Sequence, residues 1–109
     1  MKKIIKFTTD SIPSILSGVK YSTWRLFDDK DIKVGDELFL VNRGNGVEFA
    51  QAVVFKVTEK KMGEISDDDF EGHKKYESEE EMYKEFRGYY GDQVNKDTPV
   101  KIIQFKLVV

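Results

Sequence analysis

Three residue types suited to acyl-transfer chemistry crowd into Gly18-Val19-Lys20-Tyr21-Ser22-Thr23-Trp24-Arg25. A threonine hydroxyl is a poor nucleophile until a base removes its proton. A lysine serves as that base only when burial or a neighbouring cation, here Arg25, destabilises its ammonium form. A carboxylate such as Glu71 then protonates the leaving amine or orients the hydrolytic water. Simpler readings stand beside this one. Lys20 and Arg25 also suit phosphate contacts without catalysis, or a plain charged surface. Thr23 is an ordinary strand former, and Glu71 lies in an acidic run that is commonly solvated.

The elements that must position these residues read as follows. Lys2–Phe7 is a short strand, and Ile12, Ile15 and Leu16 give a short helix with Pro13 in its first turn and Gly18 at its stop. Tyr21–Phe27 is a strand. Alternation there puts Thr23 and Arg25 on one face, expected to look outward, and Trp24 on the other as a core anchor. Lys20 joins Thr23 and Arg25 only from the turn before the strand, and is expected there. Asn42-Arg43-Gly44-Asn45-Gly46 is a hairpin turn and not a phosphate loop, since no helix follows it. In the next strand Val47, Phe49, Gln51, Val53, Phe55 and Val57 are expected on one face. Ser66 caps a short acidic helix through Asp67–Phe70. Ser78 with Glu81 opens a longer helix whose Met82, Tyr83, Phe86 and Tyr90 form an apolar stripe. Its aromatic residues, with Tyr89, suit base stacking but at helical spacing read first as core. Pro99–Val109 closes the chain, with Ile103, Phe105, Leu107 and Val109 on one face.

This order lacks regular βαβ alternation, which disfavours a doubly wound sheet. The expected fold is α+β: a small, partly open mixed β-barrel with two or three helices packed at its ends, as one domain over residues 1–109. With 109 residues, 39% of them hydrophobic and 35% charged, a single modest core is within reach. The absence of cysteine excludes disulfides and thiolate chemistry and suits a cytoplasmic setting. With His73 as the sole histidine, no metal and no cofactor is expected. No apolar run approaches the roughly 20 residues of a membrane span. A net charge of −2 argues against strong non-specific nucleic-acid binding, and no DNA specificity is expected. The charge is uneven, however: residues 1–30 carry a local +3 and residues 67–85 a local −6. The first suits a ligand with few phosphates; the second is a solvated face or a dock for a basic partner.

The pattern G-x-K-x-x-T-x-R after a short helix resembles the ASCH domain, a relative of the PUA-like barrels. Val34-Gly35-Asp36-Glu37-Leu38, Asp69-Phe70-Glu71-Gly72 and Ile102-Ile103-Gln104-Phe105 resemble further segments of that family in the same order. The resemblance implies a PUA-like barrel with an RNA or nucleoside ligand. One small branch hydrolyses the amide of N(4)-acetylcytidine. By that likeness Lys20, Thr23 and Glu71 are the expected catalytic residues, and Arg25 and Tyr21 the expected substrate contacts. The sequence departs from the branch at Tyr21 and Ser22 and has a longer, more acidic 67–97 segment. A non-catalytic module binding RNA or a modified nucleoside is the alternative.

Overall fold

The structure is a computed structural model and describes residues 2–28 and 30–108. Five strands, β1 (Lys2–Phe7), β2 (Ser22–Leu26), β3 (Glu37–Asn42), β4 (Glu48–Lys61) and β5 (Pro99–Leu107), form one mixed sheet in the order β1-β3-β4-β5-β2. β1 runs parallel to β3; every other pairing is antiparallel. Two helices complete the fold, α1 (Ile12–Leu16) and α2 (Glu79–Tyr90). The expected acidic helix is a single 3-10 turn, Asp67–Phe70. The expected hairpin joins β3 to β4, closed by the Asn42 N–H on the Val47 carbonyl at 2.9 Å. The fold is thus α+β with an open barrel.

Two cores lie on opposite sides of the sheet. The inner one gathers Ile5, Phe7, Ile15, Ile32, Leu38, Leu40, Ala52, Val54, Ile103 and Phe105. The outer one packs Met82 and Phe86 of α2 against Trp24, Leu26, Met62, Val94, Val100 and Ile102. β5 is therefore buried on both faces, whereas one apolar face was expected. Ile103 and Phe105 point inward as read; α2 covers Val100 and Ile102. The expected position of Val109 lies outside the described residues.

Two further expectations about facing are corrected. Trp24 is a core anchor, but of the outer core. Thr23 consequently turns toward the inside of the barrel and not outward, and is only 5% exposed. In β4 the deeply buried residues are Ala52 and Val54, the opposite phase to the one expected. Two bulges explain the change. Leu40 pairs with Ala50 and Val41 with Glu48, which skips Phe49 and starts the shifted phase. Further along, Val54 pairs with Phe105 and Lys56 with Gln104, leaving Phe55 without a partner and half exposed. This second bulge ends the shift, so that Val57 packs on the inner core as expected.

Strands β1 and β2 end the strand order and are not paired with each other. The barrel is open along this seam, and one side chain crosses it: Arg25 of β2 donates from Nη2 to the Lys6 carbonyl of β1 at 3.0 Å.

Candidate functional site

The chain turns sharply before β2. Gly18 takes φ +83°, a conformation that favours glycine, and the Lys20 N–H donates to the Ser14 carbonyl at 2.9 Å. Lys20 is thereby held in the turn ahead of β2. The next two N–H groups, of Tyr21 and Ser22, both donate to the Gly72 carbonyl, at 3.0 and 3.1 Å. Gly72 itself has φ +73°, and a Cβ there would lie 2.7 Å from the Tyr21 ring. The Phe70–His73 segment is thus fastened onto the start of β2.

A cavity of about 250 Å³ opens beside this junction at the β1–β2 seam. Lys20, Thr23 and Arg25 all line it, with Lys6 and Phe7 from β1, His73 and Tyr76 from the loop before α2, and Glu85, Tyr89 and Tyr90 from α2. The Arg25 Nε donates to the Thr23 Oγ1 at 3.1 Å, and its guanidinium lies over the Phe7 ring at 5.2 Å. A hydroxyl that accepts from a cation keeps its own proton available for donation, and the cation stabilises any negative charge that develops on the oxygen. Burial and then the nearby Arg25 hold the Lys20 ammonium below its ordinary value, with Glu85 acting in the opposite direction. Among the described residues Lys20 forms no ion pair.

Glu71 and Tyr21 are placed differently. Neither lines this cavity. Glu71 is exposed, and its carboxylate faces the Tyr21 hydroxyl; burial and that contact raise the tyrosine above its ordinary value. The carboxylates that do line the cavity are Asp10 and Glu85. Glu85 is the one tied to its neighbours: it accepts from Lys74 Nζ at 2.6 Å and from the Tyr76 hydroxyl. Burial opposes its ionisation, but these two donors outweigh burial and hold it below the ordinary carboxylate range.

His73 is the other group that the sequence reading left aside. Its ring stacks on Trp24 with centroids 4.2 Å apart at 15°. Burial, and then Lys20, push its pKa down to about 4, so it is neutral near pH 7. Its Nδ1 lies 2.8 Å from the Lys74 carbonyl, which can only accept. Nδ1 therefore carries the proton and Nε2 is the free acceptor. Both groups left a trace in the sequence. His73 directly follows Glu71-Gly72, and Glu85 stands three residues from Met82 and next to Phe86, on the margin of the apolar stripe. Among the described residues no group of three or more His, Asp or Glu is placed to hold a metal ion, and no helix is long and apolar enough to cross a membrane.

No family model matches the chain, and no curated protein is detectably similar to it. Solved structures do match. The crystal structure of a hypothetical protein superposes with a TM-score of 0.77 at 24% identity, covering 99% of this chain and 100% of that one. An ASCH domain from Lactobacillus crispatus gives 0.72 at 16% identity, over 97% of this chain and 79% of that one. The solution structure of a protein from Pyrococcus furiosus gives 0.68 at 21%, over 99% and 98%. The chain therefore has the fold of ASCH domains. At these identities the likeness carries fold and not residue roles.

Proposed function

We propose that this is an ASCH-domain protein that hydrolyses the amide of an acylated cytidine such as N(4)-acetylcytidine. The observation that carries the reading is the meeting of Lys20, Thr23 and Arg25 in one cavity, with a Lys20 ammonium destabilised by burial and a Thr23 oxygen that accepts from Arg25. Neutral Lys20 takes the hydroxyl proton as Thr23 Oγ1 attacks the acyl carbon. Arg25 stabilises the charge that develops. The C–N bond breaks, the cytosine amine takes a proton, and water releases the acyl group from Thr23 as a carboxylic acid. Glu71 remains in the proposal as the acid or the group that orients the water, and Tyr21 as a substrate contact, for a ligand that extends to the Tyr21 side. Glu85 competes with Glu71 for the acid role because it lines the cavity.

The test is release of cytidine from N(4)-acetylcytidine, followed for the wild type and four variants. Lys20→Ala and Thr23→Ala are each expected to lower turnover at least about a hundredfold, the low end for one acid–base group. Their losses should not add, because the two act as a unit. Comparing Glu71→Ala with Glu85→Ala assigns the acid. Turnover that survives Thr23→Ala removes the nucleophile assignment, and no turnover across a panel of acylated cytidines removes the hydrolase reading.

A non-catalytic module binding RNA or a modified nucleoside is the second reading. The cavity lining favours it: Lys6, Lys20, Arg25, Arg43 and Lys74 stand against only Asp10 and Glu85, interleaved with aromatic rings. Such a lining suits an anionic, aromatic ligand with or without chemistry.

A further inference from the structure

The cavity that holds Lys20 and Thr23 does not end at Arg25. A second hollow of about 340 Å³ continues along the open seam, lined by Phe27, Asp28 and Lys30 among others. Lys6, Arg25, Arg43 and Tyr90 line both hollows, so the two meet at these four side chains. Lys6 and Arg43 are exposed, and among the described residues neither forms an ion pair. Arg43 lies over the Tyr89 ring at 5.9 Å but holds no carboxylate. Two cations at a junction without ion pairs suit a phosphate, because no carboxylate has to be displaced first. Asp28, the acid of the second hollow, is answered from within the protein. It accepts from Lys101 Nζ at 3.1 Å and from the N–H groups of Lys30 and Ile32.

Phe27 supplies a second, independent observation. Its φ is +54°, in the left-handed region that a bulky side chain rarely adopts. The residue is nevertheless 57% exposed at the lip of the second hollow, its ring edge-on to Tyr90 at 5.9 Å. A strained backbone that leaves an apolar residue more than half exposed gains little from burial, and such strain collects at binding sites. An exposed aromatic face accepts any base by stacking.

We propose that the groove takes a nucleotide step of a single-stranded polynucleotide: one nucleoside in the Lys20 cavity, the phosphodiester between Lys6 and Arg43, and the neighbouring base against Phe27 and Tyr90. This rests on the nucleoside reading above and extends it from a lone nucleoside to one within a strand. A duplex is excluded as the occupant, since its paired bases offer no free face to a ring.

The experiment is a titration of cytidine, cytidine monophosphate and the trinucleotide CpCpC against the wild type, Arg43→Gln and Phe27→Gly, at two salt concentrations. Glycine at position 27 removes the ring while relieving the backbone, so this variant is expected to keep its fold, checked by circular dichroism. The wild type should bind CpCpC at least about tenfold more tightly than cytidine. Arg43→Gln should lower the slope of log affinity against log salt for CpCpC by about 0.7, the value of one phosphate contact on a single strand. Phe27→Gly should reduce the preference for CpCpC over cytidine by about fivefold or more, one stacked base. CpCpC binding no tighter than cytidine, or variants that leave the preference and the salt slope unchanged, overturns the proposal. Hydrolysis is not scored in these titrations. An inert N(4)-acetylcytidine would therefore sink the hydrolase reading alone, and a missing trinucleotide preference the strand reading alone.

Discussion

Thr23 is a hydroxyl turned toward the barrel interior, and Lys20 an ammonium held half-buried without an ion pair among the described residues; both run against what solvation prefers. A pH prediction follows from Lys20. If its neutral form is the base, activity rises with pH as the ammonium loses its proton. Because the folded pKa is lowered, that rise should be centred below the ordinary value of 10.5. A profile of kcat/KM checks this, and a rise centred at or above 10.5 removes Lys20 as the base. His73 gives a second prediction, on stability. Its pKa in the folded chain is about 4 against an ordinary 6.5. As pH falls through 6.5 the unfolded chain takes up a proton that the folded chain refuses, so the stability from neutral His73 is complete above 6.5 and declines between 6.5 and about 4. The size over the whole window is on the order of 3 kcal/mol. Urea unfolding at pH 7.5 and 4.5 should show a smaller pH difference for His73→Gln than for the wild type; equal differences would count against the assignment. At this scale the sequence was readable where the residues are near neighbours. Lys20, Thr23 and Arg25 fall within six positions: strand geometry puts Thr23 and Arg25 together, and the turn just ahead of β2 adds Lys20. His73 and Glu85 enter from segments about 50 and 60 residues further on, whose docking no local pattern announces.

Among the elements, the junction of the Phe70–His73 segment with β2 carries the most consequence. Gly72 gives its carbonyl to two N–H groups of the β2 entry and lies against the Tyr21 ring. Gly72→Ala forces a side chain into a left-handed backbone and against that ring. It is expected to cost about 1–3 kcal/mol, measured as a lower urea midpoint, and to lower turnover further by shifting Lys20. A midpoint within experimental error of the wild type would show that the junction is slack. The cap of α2 is a milder case. Ser78 accepts from the Glu81 N–H at 3.2 Å, and Ser78→Ala should cost about 1 kcal/mol in the same assay. Both sites were visible in the sequence, Gly72 as the residue after Glu71 and Ser78 as a cap three residues before Glu81. The phase of β4 was not. Strict alternation from Val47 to Val57 assumes an uninterrupted ladder, and bulges at Phe49 and Phe55 break it for reasons that lie in the partner strands β3 and β5.

For the molecule as a whole, the governing feature is the seam that the sheet leaves open between its first and last strands. Arg25 is the only side chain among the described residues that ties β2 to β1 across it by a hydrogen bond. Arg25→Lys keeps the charge but loses the planar fork that serves Thr23 and Lys6 together. Hydrogen exchange of the β1 amides should then quicken while that of β4 and β5 stays as it was; unchanged exchange in β1 would mean the seam needs no clasp. The openness of the barrel was legible in the sequence as strand count and order. The location of the gap was not, because it is fixed by which strands pair. Unzipped margins of a sheet also invite other chains to pair with them, which is how soluble proteins begin to aggregate. The β1 margin exposes Lys2 and Lys6, while Lys3 is turned in onto Asp36, and like charges on the margin make two copies repel when their margins approach. A groove kept free for a polyanion is thus, at no further expense of sequence, a margin that refuses its own kind, and concentrated solutions should cloud first when those lysines are neutralised.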